Sequence, residues 1–159
     1  MRAVIAAGVA LAAAAVLASA AFGLPPFTTR PKTSPPAGTA QAEATGITVG
    51  CHAGFDRFVI RLRLGTPGYD VRAVPRVVKD PSGLPLPLLG TARLLVVLHQ
   101  ATAHTVPAVL TPLCSNLLQV KKAGDFEGVV SFGLGLKHTA GFRVFRLTGP
   151  TRVVVDVSH

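Results

Sequence analysis

From Phe55 to its end, the chain passes twice through one pattern of three short strand-like segments. These segments begin at Phe55, Tyr69 and Ala92 in the first pass and at Phe126, Phe142 and Thr151 in the second. A unit of three short strands cannot bury both of its faces alone. The repeat therefore predicts an all-β fold, a compact β-sandwich of two small sheets, which an internal duplication of a three-strand unit would explain.

The two passes do not align with a single offset. An offset of 71 residues places Phe55 on Phe126, whereas the period-two alternation of inward residues needs 72, which places Phe58 on Val130. A one-residue β-bulge would reconcile the two offsets. Chance similarity between strands of a β-rich sequence stays the alternative.

The N-terminus has the layout of a secretory signal. An apolar run from Ala3 to Leu17 follows Met1-Arg2 and precedes Ala18-Ser19-Ala20, which predicts a signal peptide over residues 1–20. The run is shorter than the roughly 20 residues of a comfortable membrane span, although an uncleaved anchor stays the alternative. We expect a protein secreted to the extracytoplasmic cell envelope, with membrane contact only if this segment is retained.

Two further regions follow the predicted signal. Residues 21–45 are rich in Pro, Thr, Ala, Ser and Gly, which predicts an extended, disordered linker. Residues 46–159 have the length of one folded domain. Within that domain, the prolines of the stretch from Lys79 to Gly90 predict an irregular crossing loop, and Gly133 and Gly135 predict either a β-bulge or a close backbone approach to a strand.

The predicted domain is basic. Residues 46–159 contain thirteen Lys or Arg and six Asp or Glu, a formal balance of +7. In an exported protein this charge favours anionic envelope polymers or phospholipid headgroups over nucleic acid. The alternation of Arg57, Arg61 and Arg63 with apolar residues is equally typical of the solvated face of a strand.

The chain has two cysteines, Cys51 and Cys114. In an exported domain they predict a disulfide, which the chain-entropy model values at roughly 4 kcal/mol for so long a loop. Zinc is the rival interpretation, with His52 and either His104 or His99 as partners. The C-x-x-C and H-x-x-x-H spacings of zinc sites are missing, so we expect neither a metal nor a cofactor.

Catalytic patterns are also missing. Ser131 lies outside any nucleophile-elbow motif, and Cys51 and His52 are neighbours that would point to opposite sides of a strand. Asp125 and Glu127 would share one face of a strand, but the carboxyl separation that glycosidases need cannot be deduced from this spacing. We therefore expect that the protein is not an enzyme.

Three motifs are informative in combination: G-F-D-R from Gly54, G-D-F-E-G-V-V from Gly124 and G-P-T-R-V-V-V-D from Gly149. Together they resemble the AMIN-like domain of exported actinobacterial proteins, over about Ile47 to His159. The resemblance implies a β-sandwich related to the AMIN module, which attaches partner domains to peptidoglycan or another envelope component and is not catalytic.

Turns and cross-strand charge pairs explain most of these motif residues without a ligand. The residues assigned to this structural group are Gly54, Phe55, Asp56, Gly124, Asp125, Phe126, Glu127, Gly128, Gly149, Pro150 and Asp156.

The predicted function is envelope binding. Basic side chains on a sheet face would bind peptidoglycan or another anionic wall polymer through Arg57, Arg61, Arg63, Arg72 and Arg152. The alternative is a subunit that assembles with an envelope protein through a sheet edge or through exposed apolar residues at Leu95, Val97 and Val154.

Overall fold

The computed structural model describes residues 23–159, so the predicted signal peptide lies outside the described residues. The described chain forms β-strands and contains no helix. In chain order the strands are β1 (Lys32–Ser34), β2 (Ala42–Cys51), β3 (Phe55–Arg63), β4 (Gly68–Ala73), β5 (Ala92–His99), β6 (Ala101–Thr102), β7 (Val109–Leu110), β8 (Leu117–Phe126), β9 (Val129–Leu136), β10 (Phe142–Leu147) and β11 (Arg152–Ser158).

The strands form two sheets. Sheet A has five strands in the order β10-β11-β3-β2-β6, and sheet B has six in the order β1-β4-β5-β9-β8-β7. All neighbours pair antiparallel except β2 and β6, which pair parallel. The predicted all-β sandwich is confirmed.

The core lies between the two sheets. Alternation along β3 turns Phe58, Ile60 and Leu62 inward, and β9 supplies Phe132 and Leu134 from the other sheet. The rings of Phe58 and Phe132 meet edge to face with centroids 5.5 Å apart. Burial of each large apolar side chain contributes about 1.5–3 kcal/mol, so truncation of either ring would strongly destabilise the fold.

The strand order repeats between the sheets. Sheet A contains the run β10-β11-β3-β2, and sheet B contains the run β4-β5-β9-β8. The hairpin β2-β3 therefore has the same position in sheet A as β8-β9 has in sheet B, and β10-β11 has the same position in sheet A as β4-β5 has in sheet B. The repeated unit thus has four strands, β2 to β5 and then β8 to β11, and contributes one hairpin to each sheet. It is one strand longer than the sequence pattern predicts.

The register fixes the correspondence of residues. The strand β3 begins at Phe55 and β9 at Val129, and the bulges of β2 at Thr45 and of β8 at Leu118 lie opposite Leu62 and Leu136. Both comparisons place Phe58 on Phe132, at an offset of 74 residues. The predicted offsets of 71 and 72 are therefore too short. Bulges do occur in both units: the register shifts at Thr45 in β2, and at Leu118 and again at Ala123 in β8.

The segment of residues 23–41, here called the strap, closes the edge where β10 and β4 lie. Thr28 exchanges backbone hydrogen bonds with Phe142 at the edge of sheet A, and β1 then pairs with β4 in sheet B. The prediction of a disordered linker over residues 21–45 is wrong for β1 and for the first residues of β2, which begins at Ala42. Backbone pairing with two open edges orders a segment whose composition offers little to bury.

A second segment covers the outer face of sheet B. Residues 77–89 cross this face, where Val77, Leu86 and Leu88 pack in a small apolar cluster with Ala123. The Leu88 side chain lies 2.8 Å from where a Cβ of Gly133 would be, and the Leu89 carbonyl oxygen 2.3 Å from where one of Gly135 would be. The glycines allow the crossing segment to touch the sheet, as the sequence predicts.

The disulfide between Cys51 and Cys114 is confirmed, with Cα atoms 5.4 Å apart. It joins the end of β2 to the chain that enters β8. Beneath it, the buried Asp56 carboxylate accepts hydrogen bonds from the backbone N–H groups of Asn116 at 2.7 Å and Leu117 at 2.8 Å. This region links the two repeated units.

Candidate functional site: the arginine face of sheet A

Four of the five predicted binding arginines lie on the outer surface of sheet A, together with one that was not predicted. We call this surface the arginine face and define it by Arg57, Arg61, Arg63, Arg143 and Arg152. Inward burial of Phe58, Ile60 and Leu62 forces the odd-numbered residues of β3 outward. The pairing of β3 with β11, and of β11 with β10, then aligns the arginines in rows across the sheet.

The first row is an ion-pair network. Arg57 donates from Nε to Asp156 Oδ1 at 2.7 Å and from Nη2 to Oδ2 at 2.9 Å, and Arg143 donates from Nε to Oδ2 at 2.9 Å. Asp156 is fully buried beneath the two guanidinium groups. The hydrogen bond to Asp156 raises the pKa of Arg57 above its ordinary value, against the opposing effect of burial. This row keeps a formal charge of +1.

Aromatic rings hold the same two arginines. The Arg143 guanidinium lies 4.3 Å from the centroid of Phe27 and 5.2 Å from that of Phe55. Arg57 lies 5.1 Å from Phe55 and 5.5 Å from Phe145. Such cation–π contacts favour fixed positions for both guanidinium groups. Arg143 and Phe27 were missed in the sequence because their neighbours depend on the register of β10 and the course of the strap.

The middle row is apolar. Phe145, Val154 and Val59 lie side by side on β10, β11 and β3, and Val154 is 1% exposed although it faces outward. The apolar patch predicted at Leu95, Val97 and Val154 is therefore wrong. Val154 is covered on sheet A, whereas Leu95 packs against the small cluster beneath the crossing segment on sheet B and Val97 is half-buried on β5.

The third row places two like charges together. Arg152 on β11 is the direct cross-strand partner of Arg61 on β3. Neither guanidinium forms an ion pair with a carboxylate of residues 23–159. The Arg61 side chain lies over Gly46, with Nη2 2.8 Å from where a Cβ would be, and Arg152 Nε donates to the Pro150 carbonyl at 3.2 Å. This row has a formal charge of +2.

The other two predicted binding arginines have carboxylate partners. Arg63 donates twice from Nη2 to Glu43, at 2.8 and 2.7 Å, in an exposed pair between β3 and β2. Arg72 donates to Asp70 on the outer face of sheet B. The prediction of one shared sheet face is wrong for Arg72, because the chain passes from sheet A to sheet B between β3 and β4.

The predicted structural residues lie mainly at turns and junctions. Glu127 and Gly128, with φ of 48° and 77°, form the two-residue turn between β8 and β9, a conformation that favours glycine. Asp125 accepts a hydrogen bond from the Ala103 N–H at 2.9 Å. Gly149, with φ of 62°, lies in the turn before β11. None of these contacts requires a ligand.

Other kinds of site find little support in the part of the chain that is described. The disulfide removes Cys51 and Cys114 as thiolate ligands, so the zinc alternative built on them is wrong. Residues 23–159 contain no helix of the length and hydropathy needed to cross a membrane.

Comparisons with known proteins identify the family. No curated protein and no solved structure matches the chain. The family model described as the AMIN-like domain matches residues 42–159, from the start of β2 to the last residue, which is four residues earlier than the predicted domain start. Such domains are envelope-associated and generally non-catalytic binding modules, and an extracytoplasmic place agrees with the disulfide. The chain belongs to the AMIN-like domain family.

Proposed function

We propose that the protein binds an anionic polymer of the cell wall, peptidoglycan or a phosphate-bearing glycopolymer, through the arginine face of sheet A. The observation that supports this most directly is the row of Arg61 and Arg152. Like charges directly opposite on neighbouring strands destabilise a sheet, and these two have no carboxylate partner within residues 23–159. A bound phosphate or carboxylate would supply the missing countercharge.

The chemistry of the face suits a flat, repetitive anion. Guanidinium groups bind phosphate or carboxylate through two parallel N–H···O bonds. The apolar row of Phe145, Val154 and Val59 separates the charged rows, so a polymer that runs along strands β11 and β3 would meet charge, apolar surface and charge in turn. The fixed network of Arg57, Arg143 and Asp156 would form a rigid border at one end of this binding surface.

Co-sedimentation with purified wall sacculi tests the proposal. The full chain, exported by its expression host so that the disulfide forms, would be compared with the double variant Arg61→Gln/Arg152→Gln over a salt series. The control is Arg76→Gln/Arg93→Gln, which makes the same change in net charge away from the arginine face. We expect binding that weakens with salt and is lost in the first variant and retained in the control.

Two results would contradict the proposal. Salt-insensitive retention of the unchanged protein would show that charge does not carry the affinity, and equal losses in both double variants would show an effect of net charge alone. Sacculi freed of phosphodiester-linked polymers by acid treatment distinguish the two ligand classes, since binding to peptidoglycan carboxylates would survive that treatment. Absence of sedimentation at any salt would favour an envelope protein as the partner.

A further inference from the structure

We propose that the outer surface of the crossing segment is a docking surface for an anionic lipid bilayer. This surface lies over sheet B and is made of Val78, Leu84, Leu89 and Val109 with Lys79 and Lys121. We call it the lysine–leucine surface. It shares no residue with the arginine face, so the inference does not rest on the function proposed above.

The apolar part of this surface is unusual for a monomer. Val78 is 43% exposed, Leu84 61%, Leu89 43% and Val109 47%, and these are half of the large apolar side chains that residues 23–159 leave exposed. Concentration of exposed apolar side chains in one place marks an interaction surface, whereas scattered ones need no explanation.

Local structure explains why these side chains point outward. Leu86 and Leu88 are buried against sheet B, and their neighbours in an extended segment must face away from it. Leu84 directly follows the turn of residues 80–83. Its carbonyl accepts from the Lys79 N–H at 2.8 Å, and the Gly83 N–H donates to the Lys79 carbonyl at 2.7 Å. These hydrogen bonds close the turn and fix the backbone that carries the exposed Leu84 side chain.

Lysines frame the apolar side chains. A shallow cavity between the crossing segment and β7 is lined by Lys79, Lys121, Pro87 and Val109. Lys122 also borders this cavity, but its ammonium donates to the carbonyl of the buried Ala103 at 2.9 Å. The Lys121 ammonium donates to the Pro87 carbonyl at 2.7 Å, beside the exposed apolar residues. Lysine is a compact point charge that suits lipid phosphates without a fixed geometry, in contrast to the planar guanidinium groups on sheet A.

This arrangement matches the chemistry of a bilayer surface. Leucine and valine side chains would enter the boundary between headgroups and acyl chains, while lysines remain among the lipid phosphates. Each lysine near an anionic bilayer contributes about a fivefold gain in affinity. Because the two outer faces of a sandwich point in opposite directions, a domain docked in this way would present its arginine face away from the bilayer.

Site-specific fluorescence tests the docking surface in the full chain. An environment-sensitive dye would be attached at Leu84→Cys, and in a matched protein at Thr48→Cys, which is exposed on the outer face of sheet A. Vesicles of phosphatidylcholine with phosphatidylglycerol, and vesicles of phosphatidylcholine alone, would be added to each. We expect a blue shift at Leu84 with the anionic vesicles, and none at Thr48.

A charge variant makes the test quantitative. Lys79→Gln/Lys121→Gln in the Leu84-labelled protein should weaken the vesicle titration about 30-fold, and its unchanged thermal unfolding midpoint would show that folding is intact. The proposal is overturned by equal shifts at Leu84 and Thr48, which an insertion elsewhere in the chain would produce, or by no shift at Leu84. Sedimentation with sacculi is unaffected by either result, so the two proposals fail separately.

Discussion

The outer faces of the two sheets occupy equivalent places in the repeated fold and have opposite properties. At the offset of 74 residues, Arg57, Val59 and Arg61 on β3 correspond to Ser131, Gly133 and Gly135 on β9. Long side chains keep sheet A open to solvent, whereas glycines leave sheet B flat enough for residues 77–89 to pack on it. The same scaffold thus has a charged, exposed face where the strand is β3 and a covered face where its equivalent is β9.

The largest expected difference between the faces concerns their carboxylates. Asp156→Asn should lower the free energy of unfolding by about 3 kcal/mol, because it leaves Arg57 and Arg143 without their buried countercharge. Asp70→Asn on sheet B should cost under about 1 kcal/mol, because its pair with Arg72 is partly solvated. Denaturant unfolding of the oxidised proteins measures both, and equal costs would contradict the structural role given to Asp156.

Glycine substitutions test the cover on sheet B. Gly135→Ala should cost about 2 kcal/mol, because its Cβ would lie 2.3 Å from the Leu89 carbonyl oxygen and the crossing segment would have to move. Gly50→Ala on sheet A should stay within about 0.5 kcal/mol, because its Cβ would lie 3.2 Å from the end of the exposed His52 side chain. Thermal unfolding of the pair is the measurement, and a cost at Gly50 as large as at Gly135 would remove the distinction.

The smallest predicted effect is a gain in stability, in contrast to the losses predicted above. Arg61→Gln removes one of two like charges that face each other across β3 and β11, so the free energy of unfolding should rise by about 0.3 kcal/mol. The same variant should bind wall sacculi more weakly than the unchanged protein. Stability gained together with binding lost is the expected signature of a side chain kept for a ligand. A loss of stability would instead indicate that Arg61 supports the sheet.

The sequence predicts the sandwich, the disulfide and most strands because these depend on local alternation and on there being two cysteines. It does not predict the four-strand unit, because β2 and β8 become recognisable as equivalents only through their pairing and their bulges at Thr45 and Leu118. The order of the strap was also missed. Its strand β1 and its bridge at Thr28 are stabilised by sheet edges whose positions depend on the whole topology.

The same limit applies to the candidate site. Alternation along β3 predicts that Arg57, Arg61 and Arg63 share a face, and the structure agrees. Alternation within one strand cannot show that Asp156 meets both Arg57 and Arg143, or that Arg152 stands opposite Arg61, because these relations depend on register. The sequence therefore could not predict which arginines pair with a carboxylate and which do not.

The strap has a practical consequence for any attempt to isolate the domain. The family match begins at Ala42, after β1 and after the pairing of Thr28 with Phe142. A fragment cut at that boundary would leave the backbone groups of β4 and β10 unpaired on the same side of the sandwich, and strands of other molecules could add there. Fragments that begin at Ala42 should self-associate, whereas those that retain residues 23–41 should stay dispersed.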